Sequence, residues 1–131
     1  MDSLLFTYTK PLAMKNELEQ RVVRYAVRVL DIVDSLPDNK GAQHLGSQLV
    51  RSGTAPALMY GEARAAESRK DFVHKMKLAL KELRETMNAL RIIYYKKYLS
   101  TDQLIESTIA ENDEVIAIFM KSIQTAKNND L

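Results

Sequence analysis

The sequence predicts an all-α protein, an antiparallel up-down four-helix bundle, and three observations support this fold class. Apolar residues recur at the three- and four-residue spacing of an amphipathic helix through most of the chain. Only four glycines and three prolines interrupt the 131 residues, and neither a long alternating pattern nor an Asn-Gly hairpin turn suggests a strand. The connections near residues 37–39, 67–68 and 99–102 are short, which favours antiparallel neighbours.

Composition limits the classes of function. Hydrophobic residues make up 46% and charged residues 27% of the chain, which is typical of a soluble globular domain with a sizeable core. The longest apolar run of the C-terminal half, residues 115–120, is too short to span a bilayer, so no membrane association is expected. The chain has no secretory signal pattern and no cysteine, and we expect a cytoplasmic location.

The first helix is predicted to begin near Asn16, a capping residue with Glu19 three positions later, and to end at Leu36, which precedes a proline. Residues 1–15 fall outside its pattern and are predicted to form an N-terminal arm. This arm either is loose or docks on a partner through its apolar residues, Leu4, Leu5, Phe6 and Tyr8. The bundle domain is expected to comprise residues 16–127, followed by a polar tail, residues 128–131.

The second helix is predicted from about Lys40 to Ala66, and small residues line one of its faces. Such a face lets another backbone approach closely, either inside the bundle or at a subunit contact. The residues are Ala42, Gly46, Gly53, Ala57 and Gly61.

The third helix is predicted from Arg69 to Tyr98, with Ser68 and Asp71 as a capping pair. One apolar stripe continues along it for about six turns, and its length would be about 45 Å at about 1.5 Å per residue. The fourth helix is predicted to begin after Asp102, with an inward stripe that includes Ile109 and Phe119.

Several short segments resemble one protein family. They read RSGT at 51–54, AAES at 65–68, DFVHKM at 71–76 and ALKELRET at 79–86, and the first helix contributes YAVRV at 25–29. Together they resemble the four-helix bundle family of 23S ribosomal RNA intervening-sequence proteins over roughly residues 16–127. The family block usually reads RSGTSIGANIEEA, whereas this chain carries Ala55-Pro56-Ala57-Leu58 and has Met59 in place of the asparagine.

The resemblance implies a left-handed bundle that forms a homo-oligomer, with a pentameric ring preferred. Similar proteins include accessory factors of diversity-generating retroelements, which bind a reverse transcriptase and nucleic acid. The partners implied are therefore RNA or a reverse transcriptase.

Basic residues cluster on two helix faces. On the third helix the cations at 70, 77, 81, 84 and 91 fall within about 80° of one another at about 100° per residue. A line of cations of this kind binds a phosphate backbone by releasing its counterions. The alternative is a solvated flank with pairs such as Lys81–Glu85. The candidate nucleic-acid-binding residues on the two helices are Arg21, Arg24, Arg28, Lys77, Lys81, Arg84 and Arg91.

The enzyme alternatives have little support in the sequence. Arg69 and His74 have the Arg-x4-His spacing of ribonucleases of the HEPN class, but so short a motif arises easily by chance. Two histidines and no cysteine do not supply a typical zinc site, so no metal and no cofactor are expected. Arg51 and Glu62 are expected to pair with charges on neighbouring helices.

We therefore predict a non-enzymatic, oligomeric protein that binds RNA or a ribonucleoprotein through its basic helix faces. The first alternative is a protein-binding scaffold or a retroelement accessory factor, and the second is a ribonuclease. The tyrosines at 94, 95 and 98 either stack on bases or form a rim of the core.

Overall fold

A computed structural model describes residues 17–128 and places four helices and no strand in that range. They are α1 (Glu17–Asp34), α2 (Lys40–Arg64), α3 (Arg69–Lys96) and α4 (Gln103–Asn128). The all-α four-helix fold class is confirmed. The predicted arm and the first-helix cap lie outside the described residues, as do residues 129–131. α2 and α3 each end two residues before their predicted ends.

Local side-chain chemistry explains where the helices begin and end. The Oδ1 atom of Asn39 accepts a hydrogen bond from the backbone N–H of Ala42 at 2.9 Å and caps α2. The Oγ atom of Ser68 accepts from the N–H of Asp71 at 3.0 Å, so the predicted capping pair of α3 is confirmed. α3 ends where Lys97 adopts the left-handed conformation, with φ of 56°, which satisfies the last carbonyls of the helix.

Each helix packs against two others: α2 lies between α1 and α3, and α4 lies between α3 and α1. Along α2, Gly46 faces the end of α1, Gly53 faces Val29, and Gly61 faces Glu19. The contacts between α1 and α2 therefore run in opposite chain order, as expected for antiparallel neighbours. The left-handed sense of the bundle stays a prediction.

The small residues of α2 serve the packing of α1 against α2. A Cβ atom on Gly53 would overlap Cγ1 of the buried Val29, and one on Gly46 would lie 3.2 Å from Cδ1 of Leu36. Ala42 is fully buried. For Gly46 and Gly53 the packing interpretation is confirmed, because a larger side chain would push the two helices apart.

A buried polar layer crosses the bundle, with one residue from each helix: Tyr25, Ser52, Thr86 and Asn112. All four are at most 1% exposed. Oγ1 of Thr86 lies 2.9 Å from Oγ of Ser52, and the Asn112 amide donates to the Tyr25 hydroxyl. Oδ1 of Asn112 has no hydrogen-bond partner in the described structure. Burial raises the pKa of Tyr25, as expected for a phenol in an apolar interior.

Candidate nucleic-acid interface

The outward face of α3 carries the four cations predicted for this helix. Lys77, Lys81, Arg84 and Arg91 are all exposed, and about 21 Å separates the first from the last at about 1.5 Å per residue. None of them forms an ion pair among residues 17–128. No carboxylate among the described residues pairs with these charges, and the only side-chain contact recorded for Arg84 there is a hydrogen bond to Sδ of Met120 at 3.4 Å.

Two glutamates of α3 are held on a different side of the helix, toward α2. Arg51 binds Glu82 at 2.7 Å through Nη1 and Glu85 at 2.6 Å through Nη2. Lys75 binds Glu62 at 2.8 Å. The prediction that Arg51 and Glu62 pair with neighbouring helices is confirmed. Because Glu85 bonds to Arg51, the alternative in which Lys81–Glu85 pairs neutralise the face finds no support.

A cation from α4 extends the basic face of α3. The neighbouring ammonium of Lys127 lowers the pKa of Lys77, since a second positive charge nearby disfavours the protonated form. Lys127 also lines a groove of about 320 Å³ with Arg69, Lys70 and Val73. Two adjacent ammonium groups repel each other, and an anion placed between them would relieve that repulsion. Tertiary packing alone brings Lys127 to this position, and no pattern in the sequence could have revealed it.

An exposed aromatic ring continues the same face toward the C-terminal end of α3. Tyr95 follows Arg91 by four residues, which places both on one side of the helix, and it is 78% exposed. Its ring meets Tyr94 edge-on, with 5.3 Å between ring centroids. The hydroxyl of Tyr94 lies 3.3 Å from Glu106. Tyr94 therefore belongs to the rim of the bundle, whereas Tyr95 is open to solvent; the four-residue spacing could have revealed this.

The arginines of α1 have a different environment. Nε of Arg21 lies 2.7 Å from Glu111, and its Nη2 lies 2.8 Å from Glu114. The bond from Arg21 lowers the pKa of Glu111, with smaller contributions from Arg28 and Arg24. These ion pairs join α1 to α4, and an RNA phosphate would have to break them to reach Arg21.

The seven predicted residues form two separate clusters. α1 packs against α2 and α4 but not against α3, so the arginines of α1 and the cations of α3 do not form one surface. Arg24 and Arg28 are exposed, and their role in binding stays a prediction.

The two residues of the ribonuclease alternative lie on different sides of α3. Arg69 and His74 are five residues apart on α3, which separates them by about 140° around the helix. The groove that Arg69 lines does not include His74. Within residues 17–128 no group of three or more His, Cys, Asp or Glu side chains is placed to hold a metal ion. None of the helices described has the length and apolarity needed to cross a bilayer.

Fold and surface together define a four-helix bundle protein with a cationic face on its longest helix. The model of the 23S rRNA-intervening sequence protein family matches residues 14–121. The chain belongs to this family, and the resemblance noted in its sequence is confirmed.

A solved structure supports the same assignment. The chain is similar to a protein of unknown function from the S23 ribosomal protein family of Bacteroides thetaiotaomicron VPI-5482. The two are 28% identical with a TM-score of 0.74, over 81% of this chain and 97% of the other. No curated protein matches the chain.

Proposed function

We propose that the protein binds RNA in the cytoplasm, without catalysing a reaction, through the outward face of α3. The observation that carries this proposal is a face about 21 Å long on which Lys77, Lys81, Arg84 and Arg91 lack ion-pair partners among the described residues. Lys127 adds a fifth charge beside Lys77. The association of the family with the 23S rRNA intervening sequence supports RNA as the ligand.

Binding would be mainly electrostatic. Lysine and arginine side chains on a helix contact phosphates and release counterions, which gives affinity but little information about base sequence. Tyr95 lies at one end of the line of cations and would stack on an unpaired base. Arg21 is left out of the contact surface because its guanidinium already binds two carboxylates.

The proposal includes a homo-oligomer, with a pentameric ring preferred. Large apolar side chains are exposed on the outer surfaces of α1 and α2, where they offer a subunit contact that leaves the α3 face open. They are Val23, Val27, Val50 and Leu58, with exposed fractions of 46 to 68%. A ring would repeat the basic face around its axis and strengthen its field. Measuring the molecular mass of the protein in solution tests the proposed homo-oligomer.

Reversing two charges on α3, Lys81→Glu with Arg84→Glu, should weaken RNA binding by about tenfold or more at low salt, because phosphate contacts dominate affinity. The affinity of the unmodified protein should fall with salt with a logarithmic slope of about −3, as expected for about four phosphate contacts. Fluorescence anisotropy with a labelled single-stranded RNA, repeated across a salt series, measures both quantities.

The matched control is Lys40→Glu with Lys96→Glu, which changes the net charge equally at two exposed positions outside the α3 face. This control should bind RNA nearly as well as the unmodified protein. Equal losses in both double variants would show a response to overall charge and contradict the assignment of the face. Binding that does not depend on salt would favour the protein-scaffold alternative.

Replacing Tyr95 with alanine should weaken binding of single-stranded RNA by about 1 kcal/mol or more, because an aromatic side chain contributes about 1–3 kcal/mol per stacked base. Binding of an RNA duplex should change little, since its bases are already stacked. Tyr95→Phe retains the ring and should behave like the unmodified protein. If Tyr95→Ala has the same affinity for single strands, Tyr95 has no stacking role.

A further inference from the structure

An apolar groove of about 570 Å³ lies along the C-terminal part of α4. Its walls include Phe72, Ala117, Ile118 and Ala126, and Lys121 lies at the exposed rim. Ile118 and Ser122 follow Glu111 by seven and eleven residues and therefore lie on the same side of α4. Glu111 binds Arg21 of α1, so the groove lies on the side of α4 that faces α1.

Within the described residues, α1 begins beside the middle of α4. Arg21 meets α4 at Glu111 and Glu114, and α1 is described only one turn further, to Glu17. α4 continues from Glu114 to Asn128, a rise of about 21 Å. The last turns of α4 thus have no α1 residue beside them within the described structure.

The described part of α1 begins at this end of the bundle, and sixteen residues precede it in the chain. Glu19 of α1 forms an ion pair with Arg64 at the end of α2, and Phe72 in the first turn of α3 lines the groove. A chain of sixteen residues spans up to about 50 Å when extended, more than twice the rise of α4 past Glu114. The segment is rich in apolar residues, with Leu4, Leu5, Phe6, Tyr8, Leu12 and Met14.

Most of this segment, and three of the seven residues that line the groove, lie outside the family match. The family match covers residues 14–121, so residues 1–13 and the last seven residues of α4 lie outside it. The groove is lined mainly by apolar side chains and the segment before α1 carries several apolar residues, so the two are complementary in chemistry.

We propose that residues 1–16 of the same chain dock in this groove and cover Phe72 and Ile118. The apolar residues at 4–8 supply the contact, because burying them against the groove removes apolar surface of both from water. The occupant is thus a segment of this chain, and neither a second copy nor another protein fills the groove.

A spin label tests the proposal, and the absence of native cysteine makes the labelling specific. A nitroxide attached at Lys121→Cys, on the rim of the groove, should strongly broaden the backbone amide NMR signals of residues 4–8. The control label at Ser47→Cys, an exposed position on α2, should leave these signals sharp. Adding Leu5→Asp with Phe6→Asp to the Lys121→Cys protein should restore sharp signals without changing helix content by circular dichroism.

Dilution with unlabelled protein shows whether the segment in the groove comes from the same chain or from a second copy. When isotope- and spin-labelled protein is mixed with excess unlabelled protein and allowed to exchange subunits, broadening within one chain persists. Broadening that disappears on dilution would show that a second copy supplies the segment and would overturn the proposal. Sharp signals with the label at position 121, or equal broadening from both labels, would overturn it as well.

Discussion

Replacing Asn112 with aspartate should lower the free energy of unfolding by about 3–4 kcal/mol at pH 7. Asn112 is fully buried, and its amide donates to the Tyr25 hydroxyl at the centre of the bundle. A carboxylate there would lose its water and have no cation to pair with in the polar layer. Its pKa should therefore rise by about 3 units or more above the unfolded value of about 3.9.

The loss of stability should depend on pH with a defined sign. A raised pKa means that the folded state keeps the proton while the unfolded state releases it, so each pH unit above about 4 costs about 1.4 kcal/mol until the folded group also ionises. At pH 4.5 the variant should therefore lie within about 1–2 kcal/mol of the unmodified protein. Urea unfolding at pH 4.5 and pH 7.5 measures the difference.

The exposed Asn88 supplies the control for the same chemical change. Asn88→Asp should lose no stability between pH 4.5 and pH 7.5, because this exposed carboxylate would lie beside Arg84 and Arg91, and nearby cations lower the pKa of a carboxyl group. A loss for Asn112→Asp that does not vary with pH would mean that the aspartate is hydrated, which would contradict the dry polar layer.

Replacing Gly53 with alanine should lower the free energy of unfolding by about 2 kcal/mol, although alanine is the better helix former by about 1 kcal/mol. The new Cβ would overlap Cγ1 of Val29 and lie 3.0 Å from its Cβ. Val29 is fully buried, and a β-branched side chain has little freedom to rotate away. The backbones of α1 and α2 must therefore separate.

Gly61→Ala, in the same helix, is the matched control. The nearest atom to its new Cβ is Oε2 of Glu19 at 3.6 Å, an ordinary contact. This variant should gain about 0.5–1 kcal/mol from helix propensity. Thermal unfolding should thus move in opposite directions for the two glycines, and adding Val29→Ala to Gly53→Ala should recover part of the loss. Similar shifts for both glycine variants would contradict the close approach at Gly53.

Substitutions at Asn112 and Gly53 should change the stability of the protein without changing its affinity for RNA. Asn112 and Gly53 are buried at the centre of the bundle and between α1 and α2, away from the outward face of α3. We expect loss of stability without loss of RNA affinity in the folded fraction for both variants. Changes at Lys81 or Arg84 should have the converse effect, because these side chains are exposed and form no ion pair in the described structure.

The RSGT motif shows how a sequence resemblance relates to physical roles. Arg51 binds two glutamates of α3, Ser52 contacts Thr86 in the polar layer, and Gly53 admits Val29. Oγ1 of Thr54 donates to the carbonyl of Val50 at 2.6 Å. All four residues make contacts within the bundle, so the motif identifies the fold and its family through packing.

The basic face was predictable from the sequence only in part. Helical spacing was enough to place Lys77, Lys81, Arg84 and Arg91 on one side of α3, because the angle between residues of one helix depends only on their separation. Spacing does not say which partners occupy those charges. The ion pairs of Arg21 with α4, and the diagonal placement of α1 and α3 that divides the predicted cluster, depend on contacts between helices.

The sequence by itself determined the four helices, their order and the Ser68 cap of α3, since apolar periodicity and capping side chains act within a few positions of the chain. Tertiary structure alone decided that Lys127 joins the basic face, that Arg21 is engaged, and that one polar residue from each helix meets in a buried layer. The physical reason is the separation along the chain of the residues that interact. Hydrogen bonds within a helix link residues a few positions apart, whereas packing joins distant residues such as Tyr25 and Asn112. The relative positions of such residues are defined only once the helices are assembled.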